Sequence, residues 1–373
     1  MEQKIKNTQA TRGRVIHIFP QEKFTEPFVD FVFRNREYLG QDQHFWIISI
    51  HDVVYPVTSR ENVNYPNSAA SWGRLLCDVI RADKVIFHDL FVLKRPLVAL
   101  LCLMPWLLNK VVITIWGGDM YGLYETSVAR KSWRRLKPFN LGLRWCVRHC
   151  YGIGTLIPSD YDFARQHLGA KGHYFEVIYV NPVDVAIPDH ATARESRQGE
   201  PLNVVVGNSA WPTLNHMEIL ERLSTYSGEN IRVWLPLSYG DKQYAQKVSD
   251  YAVSLFGDKA RILTDYLSPK EYLEFLAMMD IGIYNPERQV ALGNIWALIK
   301  LKKKVFLRSD GFLWAFHVTH LSMDMGDCLQ IGKMSYESFA KEVDFDMNRD
   351  VINKYTSVEN MRNSWMTLIM APR

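Results

Sequence analysis

The stretch VVITIWGGDMYGLYE, residues 111–125, decides the fold class. Its first six residues are β-branched or aromatic and uncharged, the composition of a strand buried on both faces. Gly117 and Gly118 break the run, Asp119 follows, and the residues around Met120–Ser127 read as a helix. A strand that turns through glycine straight into a helix is the unit from which parallel sheets covered by helices are built. Immediately upstream lies the most hydrophobic stretch of the chain, Pro96 to Leu108. It falls short of the ~20 residues that a membrane-crossing helix needs, so it reads as a buried helix feeding a buried strand.

The same alternation extends in both directions. Strands are expected at 14–19, 44–50, 84–88, 152–157 and 175–180 in the first half, and at 202–207, 231–237, 260–263, 281–285 and 304–308 in the second. Helical stretches separate them, among them Asn215–Tyr226, Asp241–Phe256 and Pro269–Met279, the last with Ser268 as N-cap. The polar segment 189–201, DHATARESRQGEP, reads as a linker between domains 1–188 and 202–373. The expected architecture is therefore α/β, two Rossmann-like domains with an interdomain cleft, and 373 residues suit two domains. A net charge of +4 excludes a nucleic-acid binder on bulk charge. Five scattered cysteines without a CxxC read as reduced thiols.

Ligands of such sheets bind beyond the carboxyl ends of the strands. In the first half those ends offer His17, His88 with Asp89, and Trp116-Gly117-Gly118-Asp119, with Tyr121 one turn on. A carboxylate behind two glycines can take a proton from an acceptor hydroxyl, although an Asx-type turn opening a helix uses the same residues. The two histidines read equally well as satisfied core side chains. In the second half the ends offer Gly207-Asn208-Ser209, then Asn215-His216 heading a helix, Ser238-Tyr239, and Arg288-Gln289 ahead of Gly293-Asn294. Small polar residues and an arginine near helix N-termini suit a diphosphate. An exposed Glu287–Arg288 ion pair is the plainer alternative for that arginine.

Other motifs fail. Gly152-Ile-Gly154 lacks the dinucleotide spacing, no P-loop is present, and Cys146, His149 and Cys150 make a poor zinc set. Asp344-Phe-Asp346 has DxD spacing but sits in polar surroundings and reads as a solvated loop. From Thr126 to Ser159 there is no acidic residue, while Arg130, Lys131, Arg134, Arg135, Lys137, Arg144 and Arg148 are interleaved with Trp133 and Trp145. This pattern suits an anionic membrane surface or a solvated helix face.

Taken in order, ADKVIFHDLF (82–91), IWGGDMYGLYE (115–125), YVNPVD (179–184), VVGNSAWPTLNH (205–216) and ERQVALGN (287–294) resemble glycosyltransferase family 56. These are the TDP-N-acetylfucosamine:lipid II transferases of enterobacterial common antigen synthesis. The resemblance implies the GT-B fold, a dTDP-sugar donor, a polyprenyl-diphosphate-linked glycan acceptor, no metal cofactor, and a place on the cytoplasmic face of the bacterial inner membrane. By position it puts Asp119 and His88 on the acceptor side. Gly207, Asn208, Ser209, Arg288, Gln289, Gly293 and Asn294 fall on the donor side. An O-antigen relative, a GT-B-fold sugar-nucleotide epimerase and a non-enzymatic sugar-nucleotide-binding scaffold are the alternatives. The epimerase needs no membrane surface, and the scaffold needs polar groups on the donor side alone.

Overall fold

The computed structural model describes residues 13–49, 55–128, 137–181, 199–341 and 343–372. The chain divides into two units, Met1–Val180 with Ser357–Arg373, and Asn181–Thr356.

In the first unit β1 (Val15–Pro20), β2 (Gln43–Ile48), β3 (Val63–Asn64), β4 (Lys84–His88), β5 (Val111–Ile115), β6 (Gly152–Thr155) and β7 (His173–Glu176) form one sheet. Its order is β3-β2-β1-β4-β5-β6-β7, and every pairing is parallel. Buried runs such as Val-Val-Ile-Thr-Ile in β5 follow from helices covering both faces. The strand order reverses between β1 and β4, which places a crevice at their carboxyl ends.

The second unit repeats the plan with β8 (Leu202–Val206), β9 (Ile231–Pro236), β10 (Ala260–Leu263), β11 (Ile281–Tyr284), β12 (Lys304–Leu307) and β13 (Gly326–Asp327). The order is β10-β9-β8-β11-β12-β13, again all parallel, with the reversal between β8 and β11. Val204, Val206, Ile219, Leu235 and Ile283 are central to its core. The helix Pro269–Ala277 begins where expected, on a capping box in which Ser268 and Glu271 each satisfy the other's backbone N–H.

Several expectations need correction. The two-residue strands β3 and β13 carry too little pattern to be read from sequence. The strand expected at 175–180 pairs only over His173–Glu176, because β6 ends at Thr155 and leaves nothing to pair with beyond it. The carbonyls of Glu176 and Ile178 are taken instead by Ser364 Oγ at 2.7 Å and Trp365 Nε1 at 2.9 Å. Those donors belong to the last helix, Val358–Met370, so the segment from Ser357 packs with the first unit, whereas 202–373 was expected to be one domain. Most of the expected linker, 189–198, lies outside the described residues; Gly199–Pro201 lie within them. Asp344 is exposed just ahead of the helix Phe345–Tyr355, which its carboxylate caps through Met347 N–H at 2.9 Å, whereas Asp346 lies in that helix and not in a loop, and pairs with Lys302 at 2.6 Å. Pro96–Leu108 is helical but only half buried.

Candidate active site

In the first unit the crevice between β1 and β4 is floored by a chain of polar groups. His17 does not close its strand, since β1 continues to Pro20 and buries the imidazole completely. Gln43 donates through Nε2 to Leu39 O, so its Oε1 accepts from His17 Nε2 at 2.8 Å. His17 Nδ1 then accepts from His88 Nε2 at 2.9 Å, and His88 Nδ1 accepts from the Tyr179 hydroxyl at 2.7 Å. Thr114 Oγ1 completes the run at 2.9 Å from Tyr179. Every nitrogen is engaged with both imidazoles neutral. Burial holds His17 down at about 4 and His88 well below the usual histidine value. A reacting hydroxyl therefore has no direct access to His88, which stacks under Phe19 and against Trp365.

Above this chain, where β4 and β5 end, lie two carboxyl groups. Asp89 follows His88 with φ 97°, a left-handed value uncommon for a residue with a side chain, and its Oδ1 accepts from Phe91 N–H at 2.6 Å. Asp119 accepts from Leu90 N–H at 3.0 Å through Oδ2 and from Trp116 N–H at 3.2 Å through Oδ1. The two carboxyl groups lie close enough to act on each other electrostatically. Burial raises both. The neighbouring Asp119 charge adds to the rise at Asp89, while backbone N–H groups hold Asp119 back. Asp119 thus serves as a turn cap, tying the β4 loop to the β5 loop, while Asp89 is the carboxyl group raised further above its usual range.

The glycines ahead of it differ. Gly117 has φ 101°, while the missing side chain of Gly118 faces open space at the start of the helix Gly118–Val128. Trp116 is half buried against Phe19, Phe24 and Tyr179. Tyr121 turns away and donates to Asp160 at 2.6 Å, a structural bond. At the ends of β1 and β2 is a cavity of about 330 Å³ whose lining includes Gln21, Tyr65, Asn67, Trp72 and Lys94. Neither carboxyl group lines it, but Lys94 is carried by the loop that starts at Asp89.

In the second unit the loops after β8 and β9 are laced by Ala210 N–H to Tyr239 O at 2.7 Å and Asp241 N–H to Ala210 O at 3.0 Å. Gly240 is obligatory there, its φ of 118° coinciding with close approach to the Ala210 backbone. Gly207 has φ 67°, and a side chain on it would collide with the His216 imidazole. Asn215, left-handed at φ 50°, donates to Asn285 O at 3.1 Å and opens the helix His216–Leu223. Tyr244 accepts from His216 N–H and donates to Nδ1, so Nε2 keeps the proton, and it has no partner.

Three further buried atoms gather at the β8–β11 reversal without partners: Asn208 Oδ1, the Tyr284 hydroxyl and the Tyr272 hydroxyl. Asn208 Nδ2 donates to the Tyr239 hydroxyl at 2.9 Å, Ser209 also bonds it, and the Tyr239 ring is 54% exposed. The phenols of Tyr239 and Tyr272 both lie close enough to raise Tyr284 further, after burial. Ser238 is half buried beside them. Native interiors leave few polar atoms unsatisfied, and a group of them at one strand-end crevice is a ligand-shaped deficit.

Gln289 is buried, Arg288 half buried, and Gly293 and Asn294 stand in the first turn of the helix Leu292–Lys300. Sequence reasoning missed Tyr272, Tyr284 and Asn285. Asn285 Nδ2 donates to Glu218 at 2.9 Å, and Glu218 in turn pairs with Arg308 at 3.0 Å and Arg222 at 3.1 Å. The position of Asn285 directly after a strand was the available signal. Of the basic segment, Arg130, Lys131, Trp133, Arg134 and Arg135 lie outside the described residues; Lys137 and Arg148 are exposed and Arg144 half buried.

Among solved structures, a glycosyltransferase from Rickettsia africae aligns at 13% identity with a TM-score of 0.60, over 96% of this chain and 99% of that one. A structure described as trehalose-6-phosphate from E. coli bound with UDP-2-fluoro glucose aligns at 11% identity and a TM-score of 0.58, over 96% and 99%. Sucrose-phosphate synthase from Thermosynechococcus elongatus aligns at 11% and 0.55, over 95% of each chain. At such identities the likeness speaks for the fold, which is GT-B. The profile of 4-alpha-L-fucosyltransferase glycosyl transferase group 56 matches residues 33–330. The chain belongs to glycosyltransferase family 56, and it is a hexosyltransferase.

Proposed function

We propose that the protein transfers a 4-acetamido-4,6-dideoxyhexose from a dTDP-sugar to a polyprenyl-diphosphate-linked glycan in enterobacterial common antigen or O-antigen synthesis. The observation that carries the reading is the pair of buried carboxyl groups, Asp89 and Asp119, held by backbone N–H groups at the carboxyl ends of β4 and β5. A sugar-nucleotide-binding scaffold has no use for two buried carboxyl groups on the acceptor side. If the transfer inverts the anomeric centre, Asp119 takes the proton of the attacking hydroxyl. The acceptor glycan occupies the cavity at the ends of β1 and β2, with Lys94 against an anionic group and Trp72 and Tyr65 against sugar rings.

On the second unit, the unpartnered atoms at Asn208, Tyr272 and Tyr284 receive the nucleoside. Arg288 and the Gly293 N–H in the first turn of the helix Leu292–Lys300 neutralise the leaving diphosphate, a cationic route that needs no divalent ion. The protein works at the cytoplasmic face of the inner membrane, where such acceptors are exposed.

The test is turnover of a panel of dTDP- and UDP-sugars with a lipid-diphosphate disaccharide, followed by mass spectrometry with and without EDTA. The expected product is the disaccharide extended by one deoxyamino sugar, formed equally in EDTA. Transfer only from UDP-hexoses would overturn the donor assignment. Turnover abolished by EDTA and restored by magnesium would overturn the cationic route.

A further inference from the structure

The hydrophobic stretch ahead of β5 does not stay inside. In the helix Arg95–Leu103, Leu97, Val98 and Leu101 are buried, while Ala99, Cys102 and Leu103 face outward together at i, i+3 and i+4. Leu103 is 79% exposed, and Trp106, in the following 3-10 turn Pro105–Lys110, is 60% exposed. The helix Pro138–His149 packs alongside, so closely that a side chain on Gly142 would stand 2.8 Å from Val98 and 3.3 Å from Cys102. Its neighbour Leu141 is 48% exposed. A helix at a water-facing surface carries polar residues on its outer side, yet here no charged residue intervenes between Arg95 and Lys110. Large exposed apolar residues grouped in this way mark an interaction surface.

The charges around the patch name the occupant. From Asp89 to Asp160 the only acidic residues in between are Asp119, which is buried, and Glu125. Exposed cations stand at the ends of the same two helices: Arg95 at the start of one, and Lys137 and Arg148 at either end of the other. Exposed leucine and tryptophan flanked by cations at the ends of their helices match the acyl boundary and phosphate headgroups of a lipid surface.

We infer that this face docks on an anionic bilayer with Leu103, Trp106 and Leu141 inserted at the headgroup boundary. The inference deepens the transferase reading, on which it rests for its purpose: Lys94, which lines the proposed acceptor cavity, immediately precedes the docking helix. Docking would therefore bring that cavity to the level at which a polyprenyl diphosphate emerges.

The experiment is sedimentation of the full chain with vesicles of phosphatidylcholine containing one third phosphatidylglycerol, comparing parent with the double variant Leu103→Ser, Trp106→Ser. The variant should keep its melting temperature, because both side chains are exposed, and should bind at least about tenfold more weakly. Parent binding should also fall on removing phosphatidylglycerol or raising salt. Equal binding by variant and parent, or no binding by the parent, overturns the inference. A parent dimer that the variant dissociates would overturn it in favour of a second copy of the chain. Turnover of a water-soluble acceptor by the parent protein tests the transferase reading separately, since that assay needs no vesicle.

Discussion

An unsatisfied phenol deep in a protein is a stability cost that a phenylalanine removes. The Tyr284 hydroxyl has no partner, and its ring is fully buried. Tyr284→Phe should raise the melting temperature of the free protein, since a buried orphan costs ~1–3 kcal/mol. If the orphan awaits a nucleoside, the same change should weaken dTDP binding, so that stability and affinity move in opposite directions. Calorimetry finding unchanged affinity in the stabilised variant would detach Tyr284 from the donor site. The carboxyl pair gives a second residue-level contrast. Burial pushes the Asp89 carboxyl well above its usual range, and Asn at 89 mimics its neutral form, so Asp89→Asn should keep turnover. It should also be more stable than parent at high pH, because a carboxyl with a raised folded pKa loses stability as pH rises through that value. Asp119→Asn should cut turnover ~10²–10⁴-fold. It should lower the melting temperature as well, because an amide cannot accept from both Leu90 and Trp116 N–H. Equal turnover by the two variants, measured well below their melting temperatures, would remove the base role. Asp119 was legible from its place after two glycines. Its backbone bonds and the left-handed Asp89 were not, because both depend on how the β4 and β5 loops meet.

Elements were more legible than contacts. Parallel strands read as short β-branched or aromatic runs, so β4 and β10 begin and end where expected, and β8 stops one residue short of its expected end at Gly207. His17 shows where that reading stops. It sits in a strand whose next three residues continue the ladder, so a polar residue in an apolar run marked an internal hydrogen-bond chain and not a strand end. That chain crosses β1, β2, β4 and β5 and makes the first sheet sensitive to acid. The folded pKa of His17 is lowered from 6.5 to about 4, so its stabilising contribution is complete above 6.5 and is lost as pH falls through about 4. Urea unfolding of the parent should weaken over this window. His17→Gln, less stable at neutral pH, should lose less on acidification. A parallel pH dependence in both proteins would assign the acid sensitivity to other groups. The helix Leu292–Lys300 carries the donor-side counterpart. Arg288→Ala should weaken dTDP binding by ~1.5–3 kcal/mol, the range for a charged hydrogen bond, and unchanged affinity in calorimetry would take Arg288 out of the site.

At the scale of the molecule, two parallel α/β units were implied by alternation of strands and helices, but the path of the segment from Ser357 was not. Nothing in the local pattern of Ser357–Arg373 distinguishes a helix that closes the second unit from one that returns to the first. The decision lies in long-range partners. Trp365 is fully buried among Phe28, His88 and Tyr179, and its indole N–H is taken by Ile178 O. Lys84, whose pKa burial lowers to about 8, donates to Leu368 O at 2.7 Å and to Ala371 O at 2.9 Å. The first unit thus closes its core, and the floor beneath the carboxyl groups, with a segment that follows the whole second unit in the chain. A fragment ending at Val180 lacks this helix and would expose the faces of Phe28 and Tyr179 to water. Removing a buried tryptophan side chain costs ~3–5 kcal/mol, a large part of a domain's net stability. Expressed alone, the fragment should show an expanded state with weak near-ultraviolet dichroism. Addition of a peptide spanning 357–373 should restore the native signal, and the same peptide with Trp365→Ala should not. Native dichroism and a cooperative melt from the fragment without peptide would mean that the first unit folds independently and that the returning helix only decorates it.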